Sequence, residues 1–219
     1  MNKEIRSLEF EIRAEETESK KGRLTGMPIV FDQATDLGWY EETISRGALD
    51  ECDLKDVRFL VGHDTSMIPL ARSRNNNENS TMQLTVTDCG MEIRVDLDIE
   101  GNPRAAELYS AVKRGDISGM SFMFIVDKDS WDDIDTEHPK RTILGIRTVL
   151  EVSAVAFPAY PQTSIQAASE DAALDSARAS LESAKQKMEE ERAAAAEAER
   201  RTALIARLNK ITEVSDDEV

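Results

Sequence analysis

The sequence predicts a mainly β domain with a few α-helices, followed by a long C-terminal helix. Three observations predict it. Short alternating apolar runs separated by Gly, Asp, Asn and Pro turn signals fill most of the first three quarters of the chain. One internal segment, NPRAAELYSAVKRG, carries helix signals at both ends. From Gln162 onward Gly and Pro vanish, and Ala, Glu, Lys, Arg and Ser take over. The expected division is a domain over residues 1–165 and a helical or coiled-coil extension over 166–219.

Residues Leu8 to Arg13 alternate as LEFEIR, a half-buried strand. LTGMPIVFD reads as a second strand, which Pro28 places at an edge or a bulge. In DLGWYEETISRGALDECDL, Asp36, Gly38 and Gly47 mark loops, and SRGALDEC reads as a short helical turn. VRFLVGHD alternates again, with Val57, Phe59, Val61 and His63 on one side, so His63 sits where a strand runs out. An Asn-rich loop then leads to a hairpin: a strand through Met82 to Val86, a turn at Asp88 to Gly90, and a strand through Met91 to Leu97.

The internal helix has Asn102 as cap, Pro103 in its first turn, Lys113 and Arg114 in its last and Gly115 just beyond. It leads into RGDISGMSFMFIV. This apolar run reads as a buried strand with Ser121, Met123 and Ile125 on one face and Phe122, Phe124 and Val126 on the other. Asp127 to Lys140 is acidic. Asp127 and Asp129 have the spacing of a calcium loop, but Trp131 follows and the turn Gly is absent, so no metal is expected. RTILGIRTVLEVSAVAF is the last strand, with Glu151, Ser153, Val155 and Phe157 sharing one face. A buried carboxylate such as Glu151 needs a partner. In the C-terminal segment Leu174, Leu181 and Met188 are one heptad apart, but ERAAAAEAERR offers only Ala, which makes a thinly apolar arm.

The net charge of -16 disfavours a nucleic-acid partner, whose phosphates need clustered Lys and Arg. The N-terminus lacks the apolar core of a secretory signal, and no run approaches membrane-spanning length. Two cysteines, Cys52 and Cys89, are too few for a disulfide framework and fit a reducing compartment. Each reads as a small hydrophobe rather than a nucleophile.

A serine nucleophile needs a base within hydrogen-bond reach and a third group that orients the base. The chain has two histidines. His138 lies in the acidic loop and His63 ends a buried strand. Ser121, His63 and Glu151 form the one combination in which each member is out of place on its own strand. They are the candidate catalytic residues.

The succession GMPIVFD, DLGWYEETISRGALD, VGHD with PLARS close behind, RGDISGMSFMF, RTIL and LEVSAVAFPAYPQTS resembles the phage prohead (capsid maturation) protease family of the HK97 type. That family is related to the herpesvirus assembly proteases. The likeness runs from about Gly26 to Ser164, in order. It implies a closed, strongly bent β-barrel and serine endopeptidase activity without a cofactor. By motif, His63 of VGHD takes the place of the catalytic His and Ser121 of GMSF that of the nucleophile. Ser118 is an imperfect rival. Glu151 stands where the third member is expected, with Asp64 as the fallback. Gly62 replaces a usual Asn, and Met123 a common Gly. Oxyanion donors would be backbone amides or an Arg such as Arg104 or Arg114.

The resemblance also implies a setting. The enzyme would work in the host cytoplasm inside the assembling prohead, on the major capsid protein precursor and its scaffold segment, and often on itself. The helical arm would suit docking onto a helical scaffold segment. Self-association is open, and neither nucleic acid nor membrane is expected as a partner. The alternative is a capsid-assembly scaffold protein that keeps the arm and no longer cleaves.

Overall fold

Two long adjacent strands carry most of the candidate chemistry, and the rest of the domain is arranged around them. The computed structural model describes residues 3–8, 12–15, 22–156 and 168–216. Its elements are β1 Glu4–Leu8, β2 Arg13–Glu15, β3 Gly22–Val30, β4 Thr35–Asp36, β5 Glu41–Ile44, β6 Asp56–Val61, β7 Ala71–Arg74, β8 Met82–Val86 and β9 Gly90–Leu97. They are followed by α1 Pro103–Arg114, β10 Gly119–Asp132, β11 Lys140–Val155 and α2 Ala168–Asp216. By its internal contacts the chain divides into one unit up to Ala177 and another from Arg178 onward.

The first sheet runs β1-β10-β11-β5-β4, with β6 on β11 and β7 on β6; the second runs β2-β3-β9-β8. Both are open among the described residues, so the closed barrel expected from the resemblance does not form. The pairing of β11 shows why. One edge holds β10 throughout, while the other is divided: Lys140–Ile143 pair with β5 and Glu151–Ala154 with β6, both parallel. The sheet forks instead of curling back on itself. Four register shifts between Met123 and Asp129 bend β10 along its length.

Met120, Phe122 and Phe124 of β10 are fully buried, as are Val152 and Ala154 of β11 and Val57 and Phe59 of β6. They form a continuous core with Leu24, Met82, Ile93 and Val95 of the second sheet and with Ala105, Leu108 and Val112 of α1. Burying an aliphatic or aromatic side chain of this kind is worth about 1.5–3 kcal/mol.

Helix α1 has the ends its sequence prescribes. Asn102 accepts from the Arg104 amide, Pro103 opens the first turn, and Gly115 at φ 80° returns its amide to Ala111 and Val112. The β8–β9 hairpin also has the expected bounds. Pro28 lies inside the register shift between Gly26 and Ile29 of β3, which spares it a ladder hydrogen bond.

Other expectations need correction. The strand expected over Leu8 to Arg13 is two strands, β1 ending at Leu8 and β2 starting at Arg13, with residues 9–11 outside the described ones. SRGALDEC makes successive turns closed by Ala48, Asp50 and Cys52 amides, without a helix. β5 and β7 form where the sequence reads as loop. Each is four residues long and polar; β5 is held by β11 from far along the chain, and β7 by the preceding strand β6. The first part of the acidic stretch is strand, since β10 reaches Asp132, and the rest is a loop that ends where β11 begins at Lys140.

Candidate active site

The site is built on the face of the first sheet opposite the phenylalanines. Ser121 of β10 is the register partner of Ser153 of β11, and Met123 that of Glu151. On the far side of β11, Glu151 pairs with Arg58 and Ser153 with Leu60 of β6. Cross-strand partners share a face. Ser121, Ser153 and Glu151 therefore lie together, and all three are buried.

His63 joins them by an irregular route. Had the alternation of β6 continued, it would have followed Val57 and Phe59 to the core face. Instead Gly62 and His63 both have φ 59°, and the chain turns as it leaves the strand. Gly tolerates that conformation and His does not readily, so local contacts must hold it. The His63 amide donates to Ser153 Oγ at 3.1 Å, and the Gly62 amide to the Ala154 carbonyl at 3.0 Å. The imidazole is thereby placed with its Nδ1 2.6 Å from Glu151 Oε1. The other carboxylate oxygen of Glu151 accepts from Ser153 Oγ at 2.5 Å.

The ring nitrogen facing away from Glu151, Nε2, is buried and has no hydrogen-bond partner among the described residues. With Glu151 ionised, Nδ1 carries the proton between them, and Nε2 is left as a lone-pair acceptor. A buried acceptor without a partner is uncommon and calls for an explanation.

Ser121 is fully buried, and its hydroxyl donates to the Arg6 carbonyl of β1 at 2.8 Å. The structure thus brings His63 and Glu151 into direct contact. It places Ser121 on the same sheet face, one strand further, without a hydrogen bond to Nε2. Asp64 is engaged elsewhere: its carboxylate takes the Ser66 amide at 3.0 Å and the Ser66 hydroxyl at 2.5 Å, and those bonds lower its pKa. Ser118 precedes β10, where its carbonyl accepts the Ile12 amide. Arg114 is paired with Asp116 at 2.7 Å. Arg104 is exposed on α1, and its charge adds a little to the lowering of the Asp64 pKa.

A cavity of about 260 Å³ opens beside the pair, lined by Arg58, Leu60, Met67, Pro69, Met123 and Glu151 among others. Its walls are largely apolar, with charged groups at Arg58 and Lys3. His138 is remote in role, 3.7 Å from Asp36 and half exposed. Among the described residues no group of three or more His, Cys, Asp and Glu side chains could hold a metal, and no helix is long and apolar enough to cross a membrane.

Two participants escaped the sequence reading. Ser153 touches both Glu151 and His63; its signal was its place two residues after Glu151 on the same strand face. The Arg6 carbonyl that holds the Ser121 hydroxyl is a backbone group with no sequence signature.

A second polar cluster lies toward β1, β5 and the start of β11. Glu4, Arg6, Glu42 and Arg141 are all nearly inaccessible. Arg6 bonds Glu42 through Nε and again through a terminal nitrogen at 2.7 Å, and it reaches Glu4 at 2.6 Å. Arg141 bonds both oxygens of Glu4, at 2.7 and 3.0 Å, Glu42 at 3.1 Å and Asp129 at 2.7 Å. Burial raises the pKa of Glu4, but the hydrogen bond from Arg141 and the charges of Arg6 and Arg141 outweigh it and leave a net lowering. Burial also opposes the charge of each arginine; their carboxylate partners reverse that and keep both firmly protonated.

No curated protein matches the chain in sequence. Among solved structures, the bacteriophage T4 capsid assembly protease, gp21, is similar at 13% identity, with 69% of this chain and 98% of that chain covered and a TM-score of 0.37. The model of the caudovirus prohead serine protease family matches residues 8–176, well over half of the 219. With a match of that extent, spanning His63, Ser121 and Glu151, the chain belongs to the caudovirus prohead serine protease family.

Proposed function

We propose that the chain is an active serine endopeptidase of capsid maturation, with Ser121 as nucleophile, His63 as base and Glu151 as the group that orients the base. One observation carries the assignment. His63 is held through Nδ1 by a buried carboxylate, while its Nε2 is buried without a partner among the described residues, beside the sheet face that bears Ser121.

The chemistry is acyl transfer. The Ser121 hydroxyl leaves the Arg6 carbonyl and turns toward Nε2, which takes its proton as Oγ attacks the substrate carbonyl carbon. Glu151 remains ionised and steadies the imidazolium. His63 then gives the proton to the leaving amine, whose C–N bond breaks. Water, deprotonated by the same nitrogen, attacks the acyl carbon, and His63 returns that proton to Ser121 Oγ as the ester C–O bond breaks. Arg104 or backbone amides would bind the oxyanion. The cavity bounded by Leu60, Met67 and Met123 would take a substrate side chain next to the cut bond.

The substrates in this reading are the scaffold segments of the major capsid protein precursor and the chain itself, cut within the prohead in the host cytoplasm. Residues 1–165 are the protease domain. Residues 166–219, most of them in α2, are the arm that meets the scaffold. Leu204 and Ile205, both exposed on α2, give that arm a docking strip of modest size.

The test is to co-express the protein with the capsid precursor and weigh the products. The wild type should shorten the precursor, and Ser121→Ala should leave it intact. A wild type that cuts nothing would support a non-catalytic assembly protein instead, and a Ser121→Ala variant that cuts equally well would remove Ser121 as the nucleophile.

A further inference from the structure

We propose that Ser153 is a positioning residue that locks the His63–Glu151 pair, a role that rests on reading Ser121, His63 and Glu151 as the reacting groups. Ser153 sits inside the sheet, with β10 on one side and β6 on the other, and is fully buried. Its hydroxyl has one proton and two lone pairs. The proton goes to Glu151 Oε2 at 2.5 Å, and a lone pair receives the His63 amide at 3.1 Å.

Each bond removes a separate freedom. A glutamate side chain on a strand can rotate about three bonds, and a hydrogen bond to one carboxylate oxygen alone leaves the other free to swing. Here Oε1 faces His63 Nδ1 and Oε2 is held by Ser153, so the carboxylate plane is anchored at both oxygens. His63 in turn occupies a backbone region that a β-carbon disfavours, at φ 59°. Its amide lies beyond the end of β6, where no ladder partner waits, and Ser153 Oγ supplies the acceptor. One hydroxyl therefore fixes the backbone of the base and the rotamer of its partner. Both must be set for Nε2 to point consistently toward the space where Ser121 acts.

A merely structural serine would lower stability when removed and leave the pair intact. A positioning serine behaves differently. In the full-length protein, Ser153→Ala should lower kcat on the capsid precursor about 10–100-fold with KM within about threefold of wild type. Ser153→Thr, which keeps the hydroxyl, should recover most of the loss. The chain has two histidines, so ¹⁵N-histidine spectra are readily assigned. The His63 Nδ1 proton should resonate at low field in the wild type and lose that position in Ser153→Ala, with the His138 signals unchanged.

A wild-type measurement guards against a variant that does not fold. The His63 amide should exchange with solvent at least about tenfold more slowly than the exposed Thr65 amide in the same loop. Unprotected exchange at His63, or an unchanged Nδ1 signal and kcat in a folded Ser153→Ala, would overturn the proposal. A wild type that cleaves nothing would remove the protease reading but leave the exchange and the spectra to decide whether Ser153 holds the pair.

Discussion

The domain buries two polar clusters, and they obey opposite rules. Glu4, Arg6, Glu42 and Arg141 balance two negative charges with two positive ones, and each is held by several partners. Tyr40 adds a hydroxyl to Arg6 at 3.2 Å, and Ser176 one to Glu4, also at 3.2 Å. Ser121, Glu151 and Ser153 are as deeply buried and His63 is partly so, yet this group leaves the buried Nε2 without a partner among the described residues. Burying charges is costly and tolerable only when they are paired and hydrogen-bonded. The first cluster meets that requirement throughout, as a structural tie between β1, β5 and β11 should. The second violates it at one atom, the one a proton-transfer mechanism needs.

The comparison breaks most visibly in catalysis. Ser121→Ala and His63→Ala should each lower turnover by about four to six orders of magnitude in the precursor-cleavage assay, with little change in melting temperature. Glu151→Gln should cost less, about 10²–10⁴-fold, because the imidazole loses its orienting charge while Nε2 survives. If a charge cluster elsewhere were the reacting site, these variants would remain active.

The other cluster should fail in stability alone. Arg141→Ala leaves Glu4 and Glu42 short of a partner and should cost about 3–5 kcal/mol in denaturant unfolding, with cleavage per folded molecule unchanged. The lowered pKa of Glu4 gives a sign to the pH dependence. A carboxylate depressed on folding contributes stability that is complete above its unfolded value, about 4.3, and is lost as pH falls through the folded value. The melting temperature should therefore hold from neutrality to about pH 5 and then fall. Glu4→Gln should start lower and fall less steeply over that acid range. An equally steep fall would place the acid-sensitive groups elsewhere.

The smallest effect is expected from thiol chemistry. Burial pushes the Cys52 thiol up to about 12, so it stays protonated at neutral pH, and Cys89 is exposed in the β8–β9 turn. Alkylation with iodoacetamide should modify Cys89 and leave cleavage within about twofold of the untreated rate. A large loss would point to a cysteine role that neither cluster contains.

How much of this was legible in the chain depended on the range of the interaction. The α1 caps and the β8–β9 hairpin are written in neighbouring residues, and they form where Asn102, Gly115 and Asp88 to Gly90 put them. Ser121 and Glu151 stood out because each is polar on a strand built for burial, and the structure puts both on one sheet face. The ion cluster was illegible. Arg6 finds Glu42 36 positions away and Arg141 finds Glu4 137 away, so each reads locally as an ordinary surface charge. The short polar strand β5 escapes for the same reason, since its partner β11 lies far along the chain, while β7 is simply too short and polar to show an alternation. The alternation of β6 misdirected His63, because two successive positive φ values override strand periodicity and leave no simple mark beyond Gly62. The closed barrel came from the family likeness, and the divided edge of β11 shows why this sheet stays open.

In the proposed mechanism Ser121 is a nucleophile activated by His63. A small serine-directed fluorophosphonate, followed by peptide mass spectrometry, tests it most directly. A single adduct is expected on Ser121 in the wild type, and it should disappear in His63→Ala. No adduct at Ser121, an adduct on Ser118 or Ser153 in its place, or equal labelling without His63 would contradict it.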